Sequence, residues 1–314
     1  MVLPFQLIPE YRDYVWGGEK LRPGQRTAEA WVVFEQDRIA SGPLAGQTLL
    51  EAAGKLGPAL LGRRVVQRTG ARFPLLVKLL DCADWLSLQV HPNDEQARRL
   101  EGPDQFGKTE AWHILQAEPG AALLFGLKPG TSARELEEGV RSGRVLDLVA
   151  RHTVQAGDTV FIRPGMIHAL GPGLLIYEVQ QTSNITYRVW DWNRPASAGR
   201  KLHIEQSLEV IDPTAQASIL PKPAPVNHQP VPLVSCPYFT LEMIQTQAKD
   251  APLALQTTGE TFHLLTVTEG RAVVSGKGWE VALKTYETLV IPADCGAYRL
   301  YSEEASVLLK ASVE

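Results

Sequence analysis

The sequence has 314 residues, enough for one large domain with a smaller attached unit, and its formal net charge is −4. No block of like charge is long enough for a nucleic-acid arm or a polybasic membrane patch, so neither nucleic acid nor membrane is an expected partner. The three cysteines, Cys82, Cys236 and Cys295, are far apart and odd in number, and no apolar run reaches the roughly 18 residues of a membrane span, so we expect a cytoplasmic protein.

Short apolar runs, separated by glycine and proline, predict a strand-rich body over the first two-thirds of the chain. The predicted strands are Phe73–Leu80, Trp85–Val90, Ala111–Leu115, Ala121–Leu127, Thr159–Ile162, Leu174–Val179 and Thr186–Trp192. Helices are fewer. Ser132 and Glu135 have the spacing of a capping box, which predicts a helix to about Val140, and further helices are predicted at Arg144–Arg151 and Ile204–Ile211.

Proline is concentrated between Pro213 and Pro232, where its missing backbone donor excludes a helix or a central strand. We interpret 213–232 as a linker between a main domain over 1–212, with a helical insertion around 131–151, and a smaller domain over 233–314. The second domain is predicted to be β from the runs Tyr238–Ile244, His263–Thr268, Arg271–Ser275, Thr288–Ile291 and Ala305–Leu309. A doubly wound parallel fold is disfavoured because helices do not alternate with strands.

Four polar side chains of the main domain could form one metal site. Gln89 and His91 are two residues apart at the end of a predicted strand, so both should project from one face. Glu110 and His168 each stand beside a turn at the edge of a predicted strand. Two imidazoles, a carboxylate and an amide oxygen suit zinc and leave a position for water or substrate. Each residue alone has an ordinary structural interpretation, so the argument depends on their occurring together.

The order and surroundings of these residues resemble the cupin signature, in the form found in type I mannose-6-phosphate isomerases of the short bacterial kind. The resemblance spans about the first two-thirds of the chain and is carried by Trp16–Leu21, Leu79–Asp94, Gly107–Trp112, Gly157–His168 and Tyr177–Trp192. It implies a mainly β fold: a cupin jelly-roll barrel with small helical additions and a second, smaller cupin-like β domain without metal ligands.

The resemblance also implies roles for individual residues. The implied ligands of a single Zn²⁺ ion per chain are Gln89, His91, Glu110 and His168. The implied catalytic residues are Lys108, Glu178 and Arg188. Lys78 and Ser87 are implied to contact the substrate, and Lys78 lies inside an apolar run, where a phosphate contact explains a lysine better than exposure to solvent does.

The expected function is zinc-dependent interconversion of mannose 6-phosphate and fructose 6-phosphate, by proton transfer between C1 and C2 through an enediol. Glu178 is the expected proton shuttle, while Arg188 and Lys108 stabilise negative charge and the metal acts as a Lewis acid. We expect Glu178 and Arg188 to project from adjacent strands toward one mouth. The alternative for this pair is an ion pair that only braces the barrel.

Three positions depart from the family pattern and leave the preferred sugar phosphate open. Arg163 stands near the metal turn, Asn184 replaces a frequent aspartate, and Trp190 replaces a frequent tyrosine beside Arg188.

Two rival functions also remain. One is a metal cupin of another class, such as an iron oxygenase, against which Gln89 argues. The other is a non-catalytic sugar-phosphate-binding protein. The sequence does not determine the oligomeric state, and a monomer is compatible with it.

Overall fold

The computed structural model describes residues 2–195, 200–216, 218–224, 226–248 and 250–313. The chain packs as two compact units. The central unit comprises residues 11–30 and 78–222, and the terminal unit comprises residues 1–10, 31–77 and 223–314. This grouping differs from the predicted division, whose boundaries at 212 and 233 stay a prediction. No helix in the described ranges is long and apolar enough to cross a lipid bilayer.

Strands dominate the structure, which confirms the mainly β prediction. The strands of the first part of the chain are β1 Glu10–Arg12, β2 Glu29–Val33, β3 Leu75–Cys82, β4 Leu88–Val90, β5 Glu110–Ala117, β6 Ala122–Leu127, β7 Val149–Thr153, β8 Thr159–Ile162, β9 His168–Leu170, β10 Leu174–Gln181, β11 Tyr187–Trp190 and β12 Ser218–Leu220. The strands of the last part are β13 Pro230–Ser235, β14 Thr240–Thr246, β15 Leu253–Gln256, β16 His263–Glu269, β17 Arg271–Gly276, β18 Trp279–Lys284, β19 Thr288–Ile291, β20 Ala297–Tyr301 and β21 Ser306–Ser312.

Six short α-helices accompany the strands in the described ranges. They are α1 Leu49–Leu56, α2 Pro58–Leu61, α3 Arg63–Thr69, α4 Asp94–Glu101, α5 Ala133–Ser142 and α6 Ile204–Val210. The capping box predicted at the start of α5 is present, because Ser132 Oγ accepts from the Glu135 N–H and Glu135 Oε2 accepts from the Ser132 N–H. Helices α1 and α4 begin with capping boxes of the same kind, at Thr48 and Asn93.

The strands form four sheets. One has seven strands in the order β1-β2-β3-β10-β5-β8-β12, and a second has five in the order β11-β4-β9-β6-β7. The others are a five-stranded sheet of order β13-β14-β21-β16-β19 and a four-stranded sheet of order β15-β20-β17-β18. Strands that are neighbours in these sheets are often distant in sequence and pair antiparallel, as β10 does with β5 and β16 with β21, which is typical of jelly rolls.

Strand β4 shows how alternation creates the site. Leu88 and Val90 are fully buried in an apolar cluster that includes residues of α5 and α6. Because successive side chains of a strand point to opposite faces, Gln89 projects from the other face of the five-stranded sheet. Removal of Leu88 and Val90 from water stabilises the strand by roughly 1.5–3 kcal/mol per side chain, so apolar burial on one face holds a polar residue in place on the other.

The helix predicted at Arg144–Arg151 is wrong. A single 3-10 turn at Val145–Asp147 is followed by strand β7 at Val149–Thr153. In β7 only Val149 is buried, and the strand is held by its antiparallel pairing with β6, a contact that the local pattern does not reveal.

The structure of the proline-rich stretch agrees with its lack of backbone N–H donors at the proline residues. In its described residues no helix forms, and its two strands, β12 and the start of β13, lie at sheet edges. An edge strand has one side without partners, so proline residues do not interrupt a ladder there.

Candidate active site

Three polar residues form a row across the five-stranded sheet. Gln89 of β4 lies directly opposite His168 of β9 on one side and Arg188 of β11 on the other. Residues directly opposite each other in antiparallel strands project from the same face. The amide, the imidazole and the guanidinium therefore start from one face of one sheet.

The seven-stranded sheet supplies the carboxylates. Strands β5 and β10 pair so that Glu110 is opposite Gln180 and Trp112 is opposite Glu178. From β3, Lys78 Nζ donates to Glu178 Oε1 at 2.9 Å and to Gln180 Oε1 at 2.8 Å. Side chains of both sheets of the central unit thus contribute to one site.

Two histidines and a carboxylate converge on one point. His91 Nε2 and His168 Nε2 lie 3.6 Å and 3.3 Å from Glu110 Oε1, and one ligand atom from each of the three residues lies within 4.8 Å of the others. All three side chains are at most 1% exposed. Gln89 Nε2 lies 3.5 Å from His91 Nε2 and 3.3 Å from His168 Nε2, so the four predicted ligands meet.

The hydrogen bonds of the two histidines orient their lone pairs toward this point. The Nδ1 atom of His91 donates to the Ile185 carbonyl and that of His168 donates to the Met166 carbonyl, both at 2.9 Å. A carbonyl oxygen only accepts, so each Nδ1 carries the proton and each Nε2 presents a lone pair to the centre. Burial lowers the pKa of His168 to about 4, and burial followed by the charge of Lys108 lowers the pKa of His91 well below its usual value. Both rings are neutral at pH 7, as metal ligands must be.

The carboxylate of Glu110 is suited to bind a cation. Both of its oxygens are buried without a hydrogen bond to any described group, although Lys108 Nζ lies 3.1 Å from Oε2. Burial raises the pKa of this carboxyl to about 7, even beside Lys108. A buried carboxylate with unsatisfied oxygens, facing two imidazole lone pairs, is the arrangement that a divalent cation would stabilise. The residues therefore fit a metal of the zinc type.

Gln89 has its amide nitrogen toward the histidines, and its oxygen accepts from Ser87 Oγ at 3.2 Å. The oxygen and nitrogen of an amide exchange places by a half-turn, and a hydroxyl can either donate or accept. Gln89 can therefore turn its oxygen to a cation while its amide N–H donates to Ser87. Its role as a ligand stays a prediction.

A cavity of about 260 Å³ opens beside this cluster. The residues predicted to be catalytic or to contact the substrate all line it, together with Gln89: Lys78, Ser87, Lys108, Glu178 and Arg188. Through Gln89, whose amide reaches both histidines, the cavity adjoins the histidine and glutamate cluster.

The carboxylate of Glu178 is held by two donors. Lys78 Nζ binds Oε1, and Trp112 Nε1 donates to Oε2 at 3.1 Å. Burial alone would raise the pKa of this carboxyl, but the charges of Lys78 and Lys108 and these two hydrogen bonds outweigh it and lower the pKa below its usual value. Glu178 is therefore ionised at neutral pH and able to accept a proton.

The predicted relationship between Glu178 and Arg188 needs correction. They lie on strands of different sheets, β10 and β11, because the chain crosses from one sheet to the other between these strands. The expectation of adjacent strands is wrong, although both residues line the same cavity. The ion pair considered as an alternative is not among the contacts of the described chain, where Glu178 pairs with Lys78.

The three departures from the family pattern lie in different environments. Arg163 is exposed, and Asn184 lines the cavity. Trp190 is not among the lining residues, because a register shift between Arg188 and Trp190 breaks the alternation that would have placed them on one face. Its ring packs instead with the apolar cluster beneath the sheet.

Several residues that shape the site were not predicted. Gln180, which binds Lys78, stands two residues after Glu178, so the period of a strand could have identified it. Glu29 lines the cavity from β2. It could have been identified as a site residue because it is a carboxylate in an otherwise apolar, buried strand. Arg200 also lines the cavity but follows β11 in a segment without periodic pattern, so no sequence signal identified it.

Comparisons with known proteins agree with this geometry. A family model described as the catalytic domain of type I phosphomannose isomerase matches residues 4–113. Over 315 aligned residues, covering 96% of both chains, the sequence is 33% identical to a probable mannose-6-phosphate isomerase, GmuF, of Bacillus subtilis.

Solved structures give the same result for the fold. The mannose 6-phosphate isomerase of Bacillus subtilis matches over 100% of both chains with a TM-score of 0.86 and 27% identity. A zinc-bound mannose 6-phosphate isomerase matches over 99% of both chains with a TM-score of 0.74 and 17% identity, which bears on the fold alone. The cupin jelly-roll class predicted from the sequence is thereby confirmed.

Proposed function

The chain belongs to the type I mannose-6-phosphate isomerase family of aldose–ketose isomerases, and on this premise we propose that it interconverts mannose 6-phosphate and fructose 6-phosphate with one bound zinc ion. The observation that carries the proposal is the convergence of two inward-facing imidazole lone pairs on a buried carboxylate, beside a cavity that holds an ionised glutamate and several cations.

The proposed zinc ligands are Gln89, His91, Glu110 and His168. Their support is the burial of the cluster, the neutral state of both histidines and the unsatisfied oxygens of Glu110. Two imidazoles, a carboxylate and an amide oxygen are donors that suit zinc. When bound, zinc would supply a Lewis acid that polarises the sugar oxygens.

Glu178 is the proposed base. In the direction from aldose to ketose, the C2–H bond breaks, its proton passes to the Glu178 carboxylate, its electrons form the C1–C2 double bond of the enediol, and the electrons of the C1 carbonyl move to O1, which takes up a proton. Glu178 then returns its proton to C1 while the O2 hydroxyl gives up a proton and becomes the C2 carbonyl, so the oxygens exchange one proton from O2 to O1 overall. Its lowered pKa keeps it ionised for the first step, and its two donors, Lys78 and Trp112, hold both oxygens in fixed positions.

The cations of the cavity have complementary roles in the proposal. Lys108 and Arg188 stabilise the negative charge that develops on the sugar oxygens, because both line the cavity and Lys108 is buried, which weakens the screening of its charge by water. Lys78 and Ser87 contact the substrate. Lys78 is hydrogen-bonded to Glu178, and Ser87 is hydrogen-bonded to Gln89.

We further propose that the enzyme works in the cytoplasm. Cys82, Cys236 and Cys295 are all free, and Cys82 and Cys295 are buried, which suits a reducing compartment.

A turnover screen tests the proposed function. Purified protein of measured zinc content is assayed with a panel of phosphorylated hexoses, before and after chelation and after zinc is restored. We expect isomerisation of mannose 6-phosphate, its loss on chelation and its recovery with zinc. Oxygen uptake with bound iron would support an oxygenase, and binding of the sugar phosphate without turnover would support a non-catalytic binding protein. Either result contradicts the proposal.

A further inference from the structure

A second arginine, Arg200, lines the cavity with Arg188 and has no part in the chemistry proposed above. Its Nε donates to Asp191 Oδ2 at 2.7 Å, and the two side chains are only 11% and 6% exposed. With respect to the described residues, this is the only hydrogen bond of the Arg200 side chain. The contact restrains the guanidinium plane and leaves both terminal nitrogens to bind a ligand.

The two lysines of the cavity are already paired with carboxylates. Lys78 Nζ lies 2.9 Å from Glu178 Oε1, and Lys108 Nζ lies 3.1 Å from Glu110 Oε2. Glu178 thus offsets the charge of Lys78, while Lys108 lies beside Glu110, a proposed zinc ligand, and is assigned to the reacting end of the sugar. A dianionic ligand gains less from a cation that is already neutralised.

The positive charge left for a ligand lies at the arginines. No carboxylate of the described chain lies within ion-pair distance of Arg188, and its buried Nε makes no hydrogen bond there. Asp191 accepts from both Arg194, at 2.9 Å, and Arg200, so one carboxylate serves two guanidiniums. Arg188 and Arg200 line the same cavity, so their like charges repel each other. An anion bound there would relieve that repulsion.

We propose that Arg200 binds the phosphate group of the substrate and makes the enzyme select phosphorylated sugars over unphosphorylated ones, an inference that rests on the proposed isomerase function. A guanidinium presents two parallel N–H donors that match two phosphate oxygens, and the contact to Asp191 orients this fork in advance. Arg188, opposite Gln89, remains at the reacting end of the sugar.

The test compares Arg200→Gln with the wild type, both full-length and zinc-loaded, on mannose 6-phosphate and on unphosphorylated mannose. We expect kcat/KM for mannose 6-phosphate to fall at least about tenfold, mainly through KM, because a charge-assisted contact is lost. The kcat/KM for mannose should stay unchanged. Arg200→Lys, which keeps the charge without the fork, should recover only part of the loss.

Arg194→Gln is the matched control, because Arg194 binds the same carboxylate but is not among the residues that line the cavity. We expect it to change neither value by more than about twofold, since both of its terminal nitrogens are used by Asp191, Asp84 and the Trp85 carbonyl and none is left for a ligand. An equal loss on both sugars in Arg200→Gln, or no loss on mannose 6-phosphate, overturns the proposal.

Binding of inorganic phosphate, measured by calorimetry, tests the role of Arg200 in phosphate binding independently of turnover. Arg200→Gln should weaken phosphate binding at least about fivefold, and Arg194→Gln should not. If the wild type isomerises no sugar phosphate, the proposed function fails, yet the phosphate measurement still tests Arg200. Equal phosphate affinity in the wild type and Arg200→Gln would show that Arg200 is not the phosphate ligand.

Discussion

Gln89 lies directly opposite Arg188 in the antiparallel pairing of β4 and β11, and opposite His168 in the pairing of β4 and β9. One side chain in the middle strand therefore has a candidate metal ligand on one side and a candidate catalytic cation on the other. Because cross-strand neighbours are separated by a fixed spacing, the sheet itself sets the distance between metal and cation.

Replacing Glu178 with glutamine tests its role as the base. Glu178→Gln keeps the shape of the side chain, but its amide can accept from only one of the two donors, Lys78 or Trp112, and cannot take up the proton, so we expect kcat to fall by roughly 10²–10⁴-fold. Glu178 is not in the cluster of metal ligands, so the zinc content should match that of the wild type. Loss of zinc together with activity would reject a purely catalytic role, as would a kcat near that of the wild type.

Trp112→Phe tests the hydrogen bond that helps to keep Glu178 ionised. Its indole N–H donates to Glu178 Oε2 and lowers the pKa of that carboxyl. Without this donor the pKa rises, so the acid limb of kcat/KM should move to higher pH by about one unit. The readout is the pH profile rather than the maximal rate. An acid limb that stays in place, or moves to lower pH, contradicts the assignment of Glu178.

Stability should fall in acid because of a buried histidine in the terminal unit. His263 donates to or accepts from the Tyr298 hydroxyl at 2.7 Å, and burial, followed by the charge of Lys310, lowers its pKa to about 3. Between pH 3 and the unfolded value of about 6.5, the unfolded chain binds the extra proton, so the free energy of unfolding rises with pH in that window. From pH 8 to pH 5 this histidine alone should cost about 2 kcal/mol.

Urea unfolding at pH 5 and pH 8 measures this contribution. The difference between the two pH values should be smaller by about 2 kcal/mol in His263→Gln than in the wild type. Equal pH dependence in the two proteins would mean that His263 is not held neutral in the folded state.

The sequence was sufficient for the parts of the site that depend on local geometry. The period of a strand placed Gln89 and His91 together, and Glu110 and His168 were candidates from their places beside turns as well as from the resemblance to the family; the structure brings all four to the same point. Every predicted catalytic and substrate residue lines the cavity. The predicted strands β8 and β19 have the observed bounds, and a proline follows each of them within two residues, at Pro164 and Pro292.

The parts that escaped prediction depend on contacts between distant segments. Lys78 and Glu178 are 100 residues apart, and only the pairing of β3 with β10 in the sheet order brings them together. The crossing from β10 to β11 places Glu178 and Arg188 on different sheets, which no local pattern encodes. Strand β7 has only five residues, and its pairing with β6, more than 20 residues earlier in the chain, is not encoded in the local pattern that predicts a helix there.

The most direct test of the whole account is the zinc content of purified protein, measured by mass spectrometry for the wild type, His91→Ala and His113→Asn. His113 is the control: it is a buried histidine on β5 that contacts Thr159 Oγ1 at 2.9 Å and does not belong to the metal cluster. We predict one zinc ion per chain in the wild type and in His113→Asn, and its loss with all turnover in His91→Ala. A His91→Ala protein that retains one zinc ion per chain would contradict the account.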